Sequence, residues 1–121
     1  MIRTIEKPWG NEEIFAETAR YVGKLLTVYK GHCLSLQYHE RKDETMRVLD
    51  GECELHIAEN PGDDALTVRR MGPGGTCHIA PGVRHRLVAV TDVRVIEVST
   101  PDLDDVVRIE DRYGRAGTSA P

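Results

Sequence analysis

The 121 residues carry 16 Lys+Arg against 20 Asp+Glu, a formal charge of -4 at pH 7 with a pI of about 5.7. That length suits one domain with one core, and the acidic balance repels a phosphate backbone, so nucleic acid is excluded as an expected partner. No apolar run approaches the roughly 20 residues of a membrane-spanning helix, and MIRTIEKPWG at the amino terminus lacks the apolar core of a signal peptide.

Strand-like segments dominate from residue 24 onward: KLLTVY at 24–29, CLSLQYH at 33–39, TMRVLD at 45–50, ECELHIAE at 52–59 and ALTVRR at 65–70. TCHIA at 76–80, RLVAV at 86–90 and VRVIEVS at 93–99 continue the series, each bounded by Gly, Pro, Asp or Asn. The clearest alternation sets Cys53, Leu55 and Ile57 against Glu52, Glu54 and His56, which predicts a half-buried strand with the first trio in the core. PGDD at 61–64 reads as a hairpin tip, and 101–115 as a short helix or an extended strap. Short strands joined by compact turns predict an all-β sandwich or barrel. The expected layout is one barrel domain over 1–115, closed by 101–115, with a frayed tail at 116–121. Cys33, Cys53 and Cys77 lack CxxC spacing and read as small buried hydrophobes in a reducing, cytoplasmic setting.

Chemistry concentrates at two places. Gln37 and His39 lie two apart on a predicted strand and so project to one face, and the turn at ERKD brings Glu44 back beside them. A second segment runs from Gly74 through Ala80, Pro81 and Gly82 to His85, which opens another strand. An amide oxygen, two imidazoles and a carboxylate make a mixed N/O donor set for one divalent ion: zinc foremost, with iron, manganese, cobalt or nickel also suited. His32, His56 and His78 have no partner at ligand spacing and read as surface or strand-face histidines.

These segments resemble the two signature motifs of the cupin superfamily, G(x)5HxH(x)4E(x)6G and G(x)5PxG(x)2H(x)3N. The resemblance implies a single cupin barrel (double-stranded β-helix, or jelly roll) with an interior metal site. Gln37 stands where the first His usually falls, Ala80 replaces the Pro of PxG, and Ala89 replaces the closing Asn. A glutamine in LSLQYH is similar to the phosphomannose isomerase type II cupins, as are KPWG at 7–10, Lys24 within VGKLLTV, HRL at 85–87 and DDVVRIEDRYGR at 104–115. Family members usually carry this module behind a mannose-1-phosphate guanylyltransferase domain, which these residues do not contain. HERKDETM at 39–46 keeps the ligand positions of the family's HHHRAEHW but changes the charges between them.

The resemblance implies a small-molecule substrate, a sugar or sugar phosphate, isomerised between aldose and ketose through an enediolate. It equally admits a non-catalytic sugar-binding cupin, or a metal-dependent oxygenase or decarboxylase. Lys24 is the candidate catalytic residue, with His78 and Glu97 as further titratable groups. Arg108, Arg112 and Arg115 match the basic residues of the closing motif, and a guanidinium fork suits a sugar phosphate. Trp9 is expected to close one end of the core. Tyr38, on the face opposite Gln37 and His39, is expected to point outward and to contribute to a homodimer contact.

Overall fold

A computed structural model describes residues 2–114 together with the backbone of 117 and 118. Among the described residues no helix is present, and none is therefore long and apolar enough to cross a membrane. The strands are β1 (Arg3–Lys7), β2 (Gly10–Glu17), β3 (Val22–Val28), β4 (Leu36–Tyr38), β5 (Glu44–Asp50) and β6 (Cys53–Ile57). They continue with β7 (Thr67–Met71), β8 (Thr76–Ile79), β9 (His85–Ala89), β10 (Val93–Ser99), β11 (Val107–Glu110) and β12 (Gly117–Thr118). One sheet runs β1-β2-β3-β10-β5-β8 and the other β12-β11-β4-β9-β6-β7, with antiparallel pairing throughout. The all-β barrel expected from the sequence is what the chain forms.

Side-chain alternation places every second residue inside, and the inward positions divide lengthwise. Val93 and Val95 of β10, Leu26 and Val28 of β3, Val48 of β5, Cys53 and Leu55 of β6, and Leu87 and Ala89 of β9 pack as one apolar cluster. Burying a Val or Leu side chain contributes about 1.5–3 kcal/mol, so this half drives closure. At the other end the same strands turn inward charge: Glu97 on β10, Lys24 on β3, Glu44 on β5 and His85 on β9 are all buried. Registers Glu97↔Lys24, Ser99↔Glu44 and Gln37↔His85 keep these groups at one level. The three cysteines are buried and free, and Cys53, Leu55 and Ile57 face the core as their alternation requires.

The sequence reading began its strands at 24, yet a hairpin precedes it, with Lys7 paired to Gly10 across Pro8 and Trp9. Its inward positions include Glu12 beside Ile14, so a charge in the inner row hides the apolar alternation. Trp9 is buried in the core cluster as expected. Residues 101–114 take the strap alternative: after a turn at 103–104 the chain enters β11 and pairs with β4. Within the tail expected to fray, Gly117 and Thr118 pair with Arg108 and Val107, and the other residues of 116–121 lie outside the described residues. Tyr38 is half-buried with the Arg84 guanidinium 5.8 Å from its ring centroid.

Two turn glycines separate conformational from steric cost. Gly31 (φ 80°) and Gly51 (φ 83°) are both left-handed, but a Cβ at 31 meets nothing within 4 Å, whereas at 51 it falls 2.1 Å from the Asp92 carbonyl oxygen. Gly31→Ala is expected to cost about 1–2 kcal/mol and Gly51→Ala at least twice as much, read from urea unfolding midpoints. Equal losses would show that the Asp92 backbone yields.

Candidate metal centre

His39 follows β4, Glu44 opens β5 and His85 opens β9, directly opposite Gln37. The two motif segments are tied through the backbone, where the Gly82 amide donates to the His39 carbonyl at 2.6 Å. Gly82 has φ 82°, the left-handed turn that a glycine supplies without strain.

The imidazoles are oriented from behind. His39 Nδ1 donates to the Asp105 carbonyl at 2.5 Å and His85 Nδ1 donates to the Val83 carbonyl at 2.9 Å. A carbonyl oxygen only accepts, so in the neutral rings both Nδ1 atoms carry the proton and both Nε2 atoms present a lone pair. Those Nε2 atoms each lie 3.2 Å from Glu44 Oε1. All three residues are buried, and among the described residues neither the Nε2 atoms nor the Glu44 oxygens have a hydrogen-bond partner. Converging acceptors with no proton between them are unfavourable in a low-dielectric interior. A divalent cation removes the conflict, and ligands about 2.1 Å from a tetrahedral ion lie about 3.4 Å apart, close to the spacing found here. The donor set therefore fits a metal ion, with ligand atoms of His39, Glu44 and His85 all within 4.8 Å of one another.

Lys42 Nζ lies 3.3 Å from Glu44 Oε2 and 2.9 Å from Glu97 Oε2. Burial by itself raises the Glu44 carboxyl, but the Lys42 charge beside it outweighs burial and holds Glu44 well below the usual carboxylate range. Glu97 moves the other way: burial and the neighbouring Glu44 charge raise it against the pull of Lys42 and Lys24. Burial also acts to lower the Lys42 ammonium, yet Glu97 and Glu44 together raise it above its ordinary value.

The centre borders a cavity of about 50 Å³, room for roughly three or four waters. Gln37, His39, Lys24, Glu97 and Arg108 line it, together with Lys7, Glu12, Lys42, Leu103 and Val106, which sequence reasoning did not single out. Gln37 is half-buried there, its Oε1 accepting from Ser35 Oγ at 2.7 Å. Lys24 Nζ is 2.7 Å from Glu12 Oε1. Arg108 is buried, but Arg112 is exposed, donates to the Gly31 carbonyl and lines a separate outer groove with Cys33 and Arg86. Arg115 lies outside the described residues. His78 is exposed and paired with Asp43, while His32 bonds Tyr113 and His56 bonds Glu54, none of them at the centre.

Asp105 was also missed. Its carboxylate accepts from the amides of Glu40 (3.0 Å), Arg41 (2.6 Å) and Lys42 (2.9 Å) while its carbonyl orients His39, so one strap residue fixes both the loop and a ligand. Burial raises this carboxyl, and the three amides outweigh burial and lower it.

A comparison of the sequence with known families matches residues 1–111 to the family described as Mannose-6-phosphate isomerase C-terminal. The chain belongs to that family. Mannose-1-phosphate guanylyltransferase ManC of Salmonella typhimurium is 32% identical over 120 residues, covering 95% of this chain and 24% of the relative. Xanthan biosynthesis protein XanB of Xanthomonas campestris pv. campestris is 33% identical over 118 residues, covering 93% and 24%. The chain thus spans about a quarter of the length of these relatives. Among solved structures, KdgF from Halomonas sp. superposes with a TM-score of 0.70 at 22% identity, covering 84% of this chain and 87% of that one. A Bacillus subtilis oxalate decarboxylase, studied for its Mn(II) centres, gives 0.74 at 16%, covering 88% and 30%. These likenesses establish the single cupin barrel.

Zinc titrated into metal-free protein is expected to bind at one equivalent and to raise the melting temperature. Asp105→Ala should weaken that binding about 10–100-fold in competition with a chromophoric chelator. Because the Asp105 carboxyl titrates lower folded than unfolded, its stabilisation is complete above the ordinary aspartate value, near pH 4, and is lost as pH falls through the folded value. Asp105→Asn, compared with the parent by urea unfolding between pH 7 and pH 3, should therefore show a shallower acid loss. Parallel curves would remove the carboxylate from this role.

Proposed function

We propose that this cupin is a metal-dependent aldose–ketose isomerase acting on a sugar phosphate, with mannose 6-phosphate the first substrate to test. The observation that carries the reading is the set of buried, unpartnered polar atoms converging on His39, Glu44 and His85, set beside a cavity in a chain of the mannose-6-phosphate isomerase C-terminal family. Zinc is the favoured ion for these donors, with iron, manganese, cobalt and nickel also admitted, and Gln37 is proposed as a further, neutral donor. When bound, the ion supplies Lewis-acid polarisation of the carbonyl of an open-chain sugar.

The remaining work falls to the chain itself. Lys42 holds Glu44 ionised, and Asp105 and Val83 hold the two imidazoles with Nε2 inward. Trp9, Leu26, Leu34, Leu103 and Val106 supply the apolar part of the cavity lining. A group facing the cavity carries the proton between neighbouring carbons; the candidates are Lys24, the candidate catalytic residue of the sequence, and the two carboxylates of the lining, Glu12 and Glu97. Arg108 serves the phosphate, whereas Arg112 is placed for the outer surface. A hexose phosphate exceeds the cavity, so admitting one requires its lining to give way. The homodimer belongs to the same proposal and is read by light scattering.

The small cavity favours a second reading, a metal-dependent reaction on a compact acid or binding without turnover. Deuterium wash-in decides between them. Metal-loaded protein incubated with mannose 6-phosphate in heavy water should lose the C2 proton signal in NMR, and His39→Ala should not. Absence of exchange across zinc, manganese, iron, cobalt and nickel would rule out this substrate and leave the second reading.

A further inference from the structure

Two lysines, Lys24 buried and Lys7 half-buried with its side chain largely covered, share one carboxylate on the side of the cavity away from the candidate metal centre. Lys24 Nζ lies 2.7 Å from Glu12 Oε1 and Lys7 Nζ lies 3.3 Å from Glu12 Oε2. The three side chains are 5%, 7% and 9% exposed for Lys24, Lys7 and Glu12, and all line the cavity. One carboxylate neutralises one ammonium, leaving a positive charge within the triad. Buried charge is costly unless it is met by a counter-charge. Glu97, in register with Lys24, is the other carboxylate lining the cavity and is already bonded to Lys42, so cations outnumber carboxylates along this lining. Arg108, buried on the facing sheet at the position paired with Gln37, lines the same space. Burial lowers the Lys7 ammonium, Glu12 opposes this, and the charges of Arg108 and Lys24 add to the lowering, as expected of cations gathered at one place.

We propose that Lys7, Lys24, Glu12 and Arg108 form an oxyanion subsite that takes the phosphate or carboxylate terminus of the ligand. Glu12 acts as the shared counter-charge that lets the two ammonium groups sit together, and Lys24 becomes a binding group. The inference rests on the reading of the cavity as the ligand site, but it is independent of the reaction. In the first sheet Lys24 on β3 stands two strands from Glu44 on β5, with β10 between them. At about 4.8 Å per strand that is about 10 Å, so one end of a linear ligand can reach the metal centre while its anionic end meets the lysines.

The test uses the full chain freed of metal and titrated with inorganic phosphate and, separately, malonate, at constant chloride by calorimetry. Phosphate is expected to bind without metal, and Lys7→Gln to weaken it about ten-fold or more, with zinc affinity unchanged within about two-fold. Glu12→Gln, which removes the counter-charge, is expected to tighten phosphate, an opposite sign that loss of folding does not produce. Tighter phosphate than malonate supports a phosphorylated ligand, and the reverse supports a dicarboxylic acid, either within the same subsite. The proposal is overturned if neither anion binds the metal-free parent at millimolar concentration, or if Lys7→Gln binds as the parent does. It is equally overturned if phosphate binding needs metal and vanishes in His39→Ala. Should every sugar phosphate fail the exchange experiment while Lys7→Gln still loses phosphate, the isomerase reading falls and the subsite stands.

Discussion

Glu44 Oε1 lies 3.2 Å from the Nε2 atoms of both His39 and His85, and with both Nδ1 protons committed to backbone carbonyls none of these atoms can donate to another. Much of the polar half of the barrel follows from that arrangement. Glu44 must stay ionised to be useful to a cation, which calls for a neighbouring positive charge, and Lys42 provides it. Lys42 in turn is buried and takes a second carboxylate, Glu97. Glu97 stands in register with Lys24, and Lys24 with Lys7 is held by Glu12. Charge is thus passed across five strands of one sheet, from β5 through β10, β3 and β2 to β1, with ions of opposite sign set beside one another inside the protein.

The barrel accommodates this without losing its core because the division runs along the strands rather than between them. β3, β5, β9 and β10 spend their inward positions at one end on Val, Leu, Met or Ala and at the other on a titratable side chain. The apolar end supplies the free energy of closure, and the paired charges are held at positions fixed by strand register. A donor set built on strand ends and on backbone carbonyls is preorganised, since little of its geometry depends on flexible loops.

Period-two alternation made Cys53, Leu55 and Ile57 legible as core, because their outward neighbours are polar. The same rule failed at β2, where Glu12 occupies an inward position and the segment reads as polar on both faces. His39, Glu44 and His85 were readable from spacing, since two strand ends and one short turn determine where they meet. Lys7, Glu12, Lys42 and Asp105 were not. Charged residues read locally belong to solvent, and what covers these four is contact made only when the barrel closes. Asp105 reaches its amides across 63 to 65 positions of sequence. Arg112 was grouped with Arg108 by a shared motif, but β11 ends at Glu110 and the chain beyond it turns to the outer surface.

The strap holds the loop before Glu44 through that loop's backbone alone, for Asp105 accepts amide protons from residues 40, 41 and 42 and asks nothing of their side chains. Glu40, Arg41 and Asp43 are exposed, and only Lys42 points into the protein. Three of the four residues between two ligand positions are therefore open to change without disturbing the clamp or the imidazole it orients. A lineage could rewrite the rim of this opening, and with it the molecules admitted, while inheriting the interior intact.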